Sequence, residues 1–287
     1  MDDEKLLTRA YADLLSPAAQ EVGTTLSAAV RVALSPVNLL VWTFEQAAQY
    51  AEEHVRAIFE VRKVPADRIS TPKIEIAVPV INALRVPGKD DTLRRLYLNL
   101  LATAMDLGRS DAVHPAFVEI VKSLTPQEAR CVTAFTWLNS IGAPACFPLI
   151  DVIATLNSAG EVQVLSRVTN IGSLAGCGDL PSSSIDNLVR LGLCAVHVDR
   201  RMRDDKEYEP LLSDPAVAQM REIAESRPGS RVKFRYGVLE VTQFGFDFAH
   251  ACTGGIECIG LNPIMPCETR HIVRKKPLCK TRRNGGA

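Results

Sequence analysis

The first half of the chain places its apolar residues at helical intervals. Residues 1–16 and 45–63 each carry apolar side chains three and four positions apart. The clearest repeat covers residues 91–107, for which Asp90 or Asp91 is a natural N-cap. These spacings predict amphipathic helices that bury one face each.

Two further segments extend the helical pattern. Residues 71–86 are largely apolar, and Pro79 fits the first turn of a helix over residues 79–86. His114 opens a short helix that continues to Leu124, and the His114 side chain is expected to cap that helix or to pack at its corner.

A capping box marks the start of the next helix. Thr125 and Glu128 stand three positions apart, and Pro126 occupies the first helical position between them. Gly142 is expected to close this helix. Further apolar helical pieces are predicted around residues 147–156.

The chain after residue 170 follows the order of a winged-helix module. A loose Gly/Ser stretch leads to residues 182–184, which offer an N-cap for a helix over 185–191, and Gly192 fits a left-handed C-cap. Residues 193–198 and 232–241 then have the composition of two strands, which predicts a wing.

The connection between these two strands is long for a wing. Its charged run over residues 199–209 predicts a solvated loop, and Asp214 is expected to cap a helix that follows. Residues 242–248 begin a closing helix. The predicted fold is therefore mainly α, with an N-terminal helical region over 1–124, a winged-helix-like α+β module with a two-stranded wing over 125–255, and a Cys-containing basic tail over 256–287.

Residues 18–44 are rich in small residues and apolar on most faces, with interruptions at Arg31 and Pro36. A membrane helix needs about 20 uninterrupted apolar residues, and this segment falls short on either side of the proline. A buried helical hairpin is the favoured interpretation. The alternative is a conditional membrane-inserting hairpin, since small residues permit close helix packing in lipid.

Composition and charge narrow the partner classes. The 287 residues are 47% hydrophobic, which is enough for a sizeable core. Lys+Arg and Asp+Glu both number 33, whereas a general nucleic-acid binder carries a basic surplus. The candidate recognition helix exposes Ser182, Ser183, Asp186, Asn187 and Arg190. One arginine against one aspartate is a poor base-reading face, so nucleic acid is not the expected partner.

The cysteines indicate a reducing compartment. Cys131, Cys146, Cys177 and Cys194 lie within or beside apolar segments, where a reduced cysteine packs as a small hydrophobe. A chain with this much core does not need a disulfide framework. The first residues, Met-Asp-Asp-Glu-Lys, lack the positive and apolar regions of a signal peptide. A cytoplasmic location is expected.

The end of the chain contains cysteine and histidine residues, which are possible metal ligands. The candidates are Cys252, Cys258, Cys267, His271 and Cys279, separated by five, eight, three and seven residues. Zinc sites use tighter pairs, so incidental thiols in a flexible tail are favoured over a metal site. The run over 270–283 is locally basic, and its alternative role is contact with an anionic membrane surface or a nucleic acid.

No known catalytic motif appears in the sequence. It contains neither a glycine-rich phosphate loop, nor a Gly-x-Ser-x-Gly elbow, nor a His-Glu-x-x-His helix. His114 with Asp106, or His114 with Glu119, has the composition of an acid–base pair, but helix capping and surface pairing explain these residues as well. No catalytic, cofactor-binding or metal-binding residue is assigned, and no enzyme activity is predicted.

Four stretches of the sequence resemble the Abi-alpha (abortive infection alpha) family of bacteria. They are residues 39–42 (LLVW), 64–69 (VPADRI) with 76–79 (IAVP), 98–106 (LNLLATAMD) with 113–121 (VHPAFVEIV) and 124–129 (LTPQEA), and 187–193 (NLVRLGL) with 241–245 (VTQFG). The resemblance spans about residues 18–255, and its third stretch is the most specific.

The resemblance implies a bacterial protein that defends against phage at the cost of the infected cell. The family brings no established catalytic residues, so none are carried over to this chain. The leading hypothesis is a non-enzymatic defence protein that acts through a protein partner or self-association. The alternatives are a membrane-perturbing effector that uses residues 18–44 and a winged-helix DNA-binding regulator.

Overall fold

The structure is a computed structural model that describes residues 45–85, 90–140, 145–156, 160–227, 229–254 and 281–283. The predictions for residues 1–16, for the 18–44 segment, for Gly142 and for most of the tail lie outside these residues. The described chain divides into two compact units, residues 45–129 with 250–254, and residues 130–249 with 281–283.

Four helices form most of the described first unit. They are α1 (Glu45–Arg62), α2 (Ile74–Leu84), α3 (Asp91–Met105) and α4 (Ala116–Ser123). Helix α3 packs against each of the other three. Its Leu96, Leu100, Leu101 and Met105 are buried. The apolar repeat that predicted this helix therefore marks the side it presents to the core.

Two predicted caps are confirmed. The Asp90 carboxylate accepts a hydrogen bond from the backbone N–H of Thr92 at 2.8 Å, at the start of α3. The capping box also forms: Thr125 N–H donates to the Glu128 carboxylate at 2.9 Å, and Glu128 N–H donates to the Thr125 hydroxyl at 3.2 Å. It opens α5 (Pro126–Ser140). Each cap satisfies a backbone donor that the first helical turn leaves unpaired.

The position of Pro79 corrects the sequence analysis. Helix α2 begins at Ile74, five residues before the proline, so Pro79 lies inside the helix and not in its first turn. A proline there removes the N–H that would bond to the carbonyl of Glu75. Burial of apolar side chains on both sides of the proline, including Val80 and Ile81, offsets that loss.

The second unit contains a four-stranded antiparallel sheet. Its strands are β1 (Cys146–Leu156), β2 (Gly160–Thr169), β3 (Cys194–His197) and β5 (Ser230–Val241), in the order β2-β1-β5-β3. The predicted pairing of residues 193–198 with residues 232–241 is confirmed, with Cys194 opposite Val241, but the two strands are part of this four-stranded sheet and not a two-stranded wing. The helical prediction around residues 147–156 is wrong, because this apolar run is a strand paired along its length with β5.

The pairing of β1 with β2 is irregular. Its register shifts between Ile150 and Val152 and again between Val152 and Ile153. Arg167 of β2 has a positive φ of 54°, which is uncommon for a side chain of this size. The Arg167 N–H donates to the carboxylate of Asp151 at 2.9 Å, so a mostly buried acid holds the irregular strand in place.

The remaining elements of this unit are helical apart from two short strands. They are α6 (Ile171–Leu174), α7 (Ser182–Arg190), β4 (Arg200–Met202), α8 (Glu209–Leu212), α9 (Pro215–Glu225), α10 (Gln243–Thr253) and β6 (Thr281–Arg283), which pairs with β4. Helices α5 and α10 contribute residues to both units. Helix α7 begins earlier than predicted, with Pro181 in the N-cap position and no side-chain cap bond.

The charged run over 199–209 is not the solvated loop that was predicted. It contains β4 and a 3-10 helix over Asp205–Tyr208, and the Tyr208 side chain is fully buried. Its hydroxyl donates to the carbonyl of Gly237 and accepts from Met202 N–H, both at 2.9 Å. Tyr208 packs with Ile150 and Val238 in the core beneath the sheet. The predicted Asp214 cap of α9 is confirmed.

The turn after α7 and the start of α10 form one junction. Gly192 has the left-handed φ of +75° that was predicted for it. The Thr242 hydroxyl donates to the Gly192 carbonyl at 2.6 Å and accepts from Gly245 N–H at 2.9 Å. A Cβ added to Gly245 would lie 2.2 Å from the carbonyl oxygen of Leu193. Residues 187–193 and 241–245, which share one resemblance stretch, therefore meet in space.

Replacing Gly245 with alanine should destabilise the second unit. The new methyl group meets backbone, which cannot rotate aside, so we expect the free energy of unfolding to fall by about 2 kcal/mol. Urea unfolding followed by circular dichroism measures this change. The control is Gln243→Ala on the exposed side of the same helix, which should stay within about 0.5 kcal/mol of the parent. Equal stability of G245A and Q243A would contradict the close approach at Leu193.

Candidate functional site

A buried carboxylate lies at the centre of the first unit's polar contacts. Asp106 directly follows α3 and is only 2% exposed. One of its carboxylate oxygens accepts from Arg68 Nη2 at 2.6 Å, from Arg68 Nε at 3.1 Å and from Gly108 N–H at 3.0 Å. Ile69 also pairs with Asp106 as an isolated β-bridge. The carboxylate thus fastens the segment after α1 to the end of α3.

A second arginine binds the polar side of α3. Arg62, the last residue of α1, donates through Nη2 to the Asn99 side-chain oxygen at 2.7 Å and through Nη1 to the Thr103 hydroxyl at 3.2 Å. The buried Thr103 hydroxyl lies 2.8 Å from the carbonyl of Ala251 in α10 and also 2.8 Å from the carbonyl of Asn99. Asn99 and Thr103 of α3 therefore bind neighbouring segments of the chain.

The electrostatics of this cluster favour a structural role. Burial and, to a smaller extent, the charge of Arg109 lower the pKa of Arg62 to about 10, and the charge of Asp106 opposes both effects. Arg62 stays charged at neutral pH. Arg109 Nη1 donates to the carbonyl of Gly254, just beyond the end of α10, where positive charge is favourable. Each of these arginines has a hydrogen-bond acceptor within the chain.

The residues considered as an acid–base pair all have contacts of other kinds. His114 Nδ1 accepts from the backbone N–H of Ala116 at 3.1 Å, which confirms the predicted cap. Glu119 pairs with Lys122 at 3.4 Å on the surface of α4. Asp106 binds Arg68. Each of the three residues therefore has a structural contact.

The exposed face of α7 is polar, and its two charged side chains have partners within the chain. Of the predicted surface residues, Ser183, Asp186 and Arg190 are exposed, and the other two are half-buried. Arg190 Nη2 donates to the Asn187 side-chain oxygen at 2.7 Å, and Asp186 forms an ion pair with Arg167 of β2. We call this face, residues 182, 183, 186, 187 and 190, the α7 surface.

Strand β5 carries a row of cations that the sequence analysis did not single out. Arg231, Lys233 and Arg235 are exposed at alternate positions and lie on one face of the strand. Lys233 pairs with Glu161 at 2.8 Å, and the Arg235 guanidinium lies 3.8 Å from the Asp151 carboxylate. The alternation of basic and apolar residues over 231–236 was the available signal. These pairs reduce the charge that the row presents.

The described cysteines are of two kinds, reduced and disulfide-bonded. Cys131, Cys177, Cys194 and Cys252 are reduced, whereas Cys146 of β1 is disulfide-bonded, which corrects its interpretation as a reduced hydrophobe. Cys252, the first of the zinc candidates, is fully buried, and burial raises its pKa well above the usual value.

The other zinc candidates, Cys258, Cys267, His271 and Cys279, lie outside the described residues. The described part of the chain holds no group of three or more His, Cys, Asp or Glu residues placed to bind a metal ion. None of the described helices is long and apolar enough to cross a membrane.

The chain is similar to one protein family and to a solved structure. The family profile described as Abi_alpha, Abortive infection alpha, matches residues 44–252. The match covers well over half of the chain, and the protein belongs to this family. The resemblance given by the sequence is therefore confirmed. No curated protein matches the chain significantly.

One solved structure shows a weak similarity. It is an uncharacterized protein from the hydrocarbon-degrading marine bacterium Alcanivorax borkumensis SK2, 19% identical to this chain. The alignment covers 51% of this chain and 96% of that one, with a TM-score of 0.32. A similarity this low supports no conclusion about fold or function.

The buried pair of Asp106 and Arg68 should contribute measurably to stability. Asp106→Asn removes a charge-assisted contact at a buried position, so we expect the free energy of unfolding to fall by about 2 kcal/mol. The matched control is Asp111→Asn, an exposed residue of the 3-10 helix over Ser110–Ala112, which should change the free energy of unfolding by less than about 0.5 kcal/mol.

A double-mutant cycle with Arg68→Met separates this pair from the rest of the cluster. The two substitutions should be non-additive by about 1 kcal/mol or more in urea unfolding, because each removes the same contact. Additive effects would mean that the Asp106 carboxylate stabilises the fold through its hydrogen bond from Gly108 N–H and not through Arg68.

Proposed function

We propose that this Abi-alpha protein defends a bacterial cell against phage by abortive infection and acts without catalysis, through contacts with another protein. Family membership supports defence as the function. The α7 surface is the observation that supports protein contacts. It is polar and partly exposed, and it is close to neutral because it carries one arginine and one aspartate, each with a partner within the chain.

The charge of this surface favours a protein over a nucleic acid. A phosphate-binding face needs arginine or lysine side chains that are available to the phosphates. Arg167 forms an ion pair with Asp186, and Arg190 donates to the side-chain oxygen of Asn187, so both cations beside α7 already have partners within the chain. Polar surfaces of mixed charge are typical of the rims of protein–protein interfaces.

A DNA-binding regulator is the second candidate. Helix α5, strand β1, helices α6 and α7, and strands β3 and β5 follow one another in the order of a winged-helix domain, with a β2 strand and the 199–229 segment inserted. The cation row on β5 adds a basic feature. Binding to mixed duplexes should then weaken steeply with added salt. A lack of binding at low salt would eliminate this candidate.

The defence function is tested directly in cells. We expect a bacterial host that carries this gene alone to give fewer plaques than the empty host. At high phage dose the infected cells should die without releasing phage. Plaque counts and survival at low and high dose measure both effects. Unchanged plaquing across a broad phage panel would contradict defence by this protein on its own.

A charge reversal on the α7 surface tests the mode of action. Arg190→Glu should reduce protection about tenfold or more, the loss expected when an interface residue contributes about 1.4 kcal/mol. Arg227→Glu makes the same change of charge at another exposed position of the second unit and should leave protection intact. Thermal unfolding of both purified variants checks that each is folded. Full protection by folded R190E would contradict a contact at α7.

A further inference from the structure

Two thiols from separate parts of the second unit lie in direct contact. Cys131 belongs to helix α5 and is buried, whereas Cys177 follows helix α6 and is half-buried. Their side chains form a hydrogen bond. The pair thus joins an inner thiol, shielded from solvent, to an outer thiol that a small reagent can reach.

The backbone around Cys177 is held in one conformation. Its N–H donates to the carbonyl of Gly172 at 2.9 Å, and its sulfur lies 3.3 Å from the same oxygen. Gly176 and Gly178 have positive φ values of 68° and 76°. A Cβ on Gly172 would lie 2.1 Å from the Gly178 carbonyl oxygen, so the turn closes tightly over α6. This geometry fixes the position of the outer thiol.

The surroundings of Cys177 favour its thiolate form. The hydrogen bond from Cys131 lowers the pKa of Cys177 and burial opposes this, while a hydrogen bond with the backbone of Cys177 itself and the charge of Arg130 lower the pKa further. The other reduced cysteines differ. Burial raises the pKa of Cys194 to about 12 and that of Cys252 well above its usual value. The thiolate is the reactive form of cysteine.

We propose that Cys131 and Cys177 form a reversible thiol–disulfide site, in which Cys177 reacts with a hydroperoxide and Cys131 resolves the product. The hydrogen bond places the two thiols side by side, and a disulfide between them needs an S–S separation of about 2.05 Å. The site is independent of the proposed contact at α7 and of any role in defence.

The chemistry balances with hydrogen peroxide as the oxidant. The Cys177 thiolate attacks one peroxide oxygen, the O–O bond breaks, and hydroxide leaves and is protonated to water, so that a sulfenic acid remains on Cys177. The Cys131 sulfur then attacks the Cys177 sulfur. The S–S bond forms, the S–O bond breaks, and hydroxide leaves with the proton of Cys131 as a second water. Two thiols have lost two electrons, and one peroxide has become two waters.

The test maps cysteine oxidation in the folded full-length protein. We expect brief treatment with hydrogen peroxide, alkylation and chymotryptic digestion to give a peptide that links Cys131 to Cys177. Chymotrypsin can cleave after Phe135 and so separates Cys131 from Cys146. Dithiothreitol should reverse the link. Before oxidation, N-ethylmaleimide should modify Cys177 at least about tenfold faster than Cys194 or Cys252. Equal rates, or oxidation without the linked peptide, would overturn the proposal.

Two variants assign the roles of the thiols. Cys131→Ser should leave a sulfenic acid on Cys177 that dimedone traps, and Cys177→Ser should leave Cys131 unoxidised at the same peroxide dose. Cys194→Ser is the control and should still form the linked peptide. Circular dichroism checks that each variant is folded, and the mapping of the unsubstituted protein decides the question if one is not. Oxidation of Cys131 in C177S would reverse the assigned order.

Discussion

The described first unit depends on the burial of one carboxylate. A charge removed from water is costly unless donors surround it, and Asp106 is 2% exposed. Arg68 and the Gly108 N–H supply those donors, and this fixes both the segment before α2 and the turn after α3. Arg62 repeats the arrangement one turn earlier on α3, where Asn99 and Thr103 are its acceptors. Asn99, Thr103 and Asp106, which lie in the most specific resemblance stretch, are therefore structural partners of residues 62–69.

The second unit has a comparable constraint in its backbone. Thr242 and Gly245 can occupy the start of α10 only because the turn at Gly192 is left-handed and Gly245 has no side chain. The motif around residues 241–245 is thus explained by packing against residues 187–193. Both stretches meet at the end of α7, where the chain turns into β3.

Sequence signals between residues a few positions apart predicted more of this fold than relations between residues far apart in the chain. The caps at Asp90, Thr125 and Asp214 depend on residues within three positions, and all three form. The apolar run over 147–156 was assigned wrongly because a buried strand and a buried helix have the same composition, and only its pairing with β5 distinguishes them. The partner of Arg62 lies 37 positions away at Asn99, and that of Cys131 lies in a turn beyond two strands. No periodicity encodes such pairs.

The irregular pairing of β2 has a consequence for the behaviour of the protein at high concentration. Strand β2 is at the edge of the four-stranded sheet, with β1 on one side. A straight edge of this kind is a template on which a second molecule can add a strand and begin to aggregate. The register shifts beside β2 and the positive φ of Arg167 interrupt its row of backbone donors and acceptors. A second molecule could pair with such an edge over only a few residues. This limits aggregation by strand addition at high protein concentration.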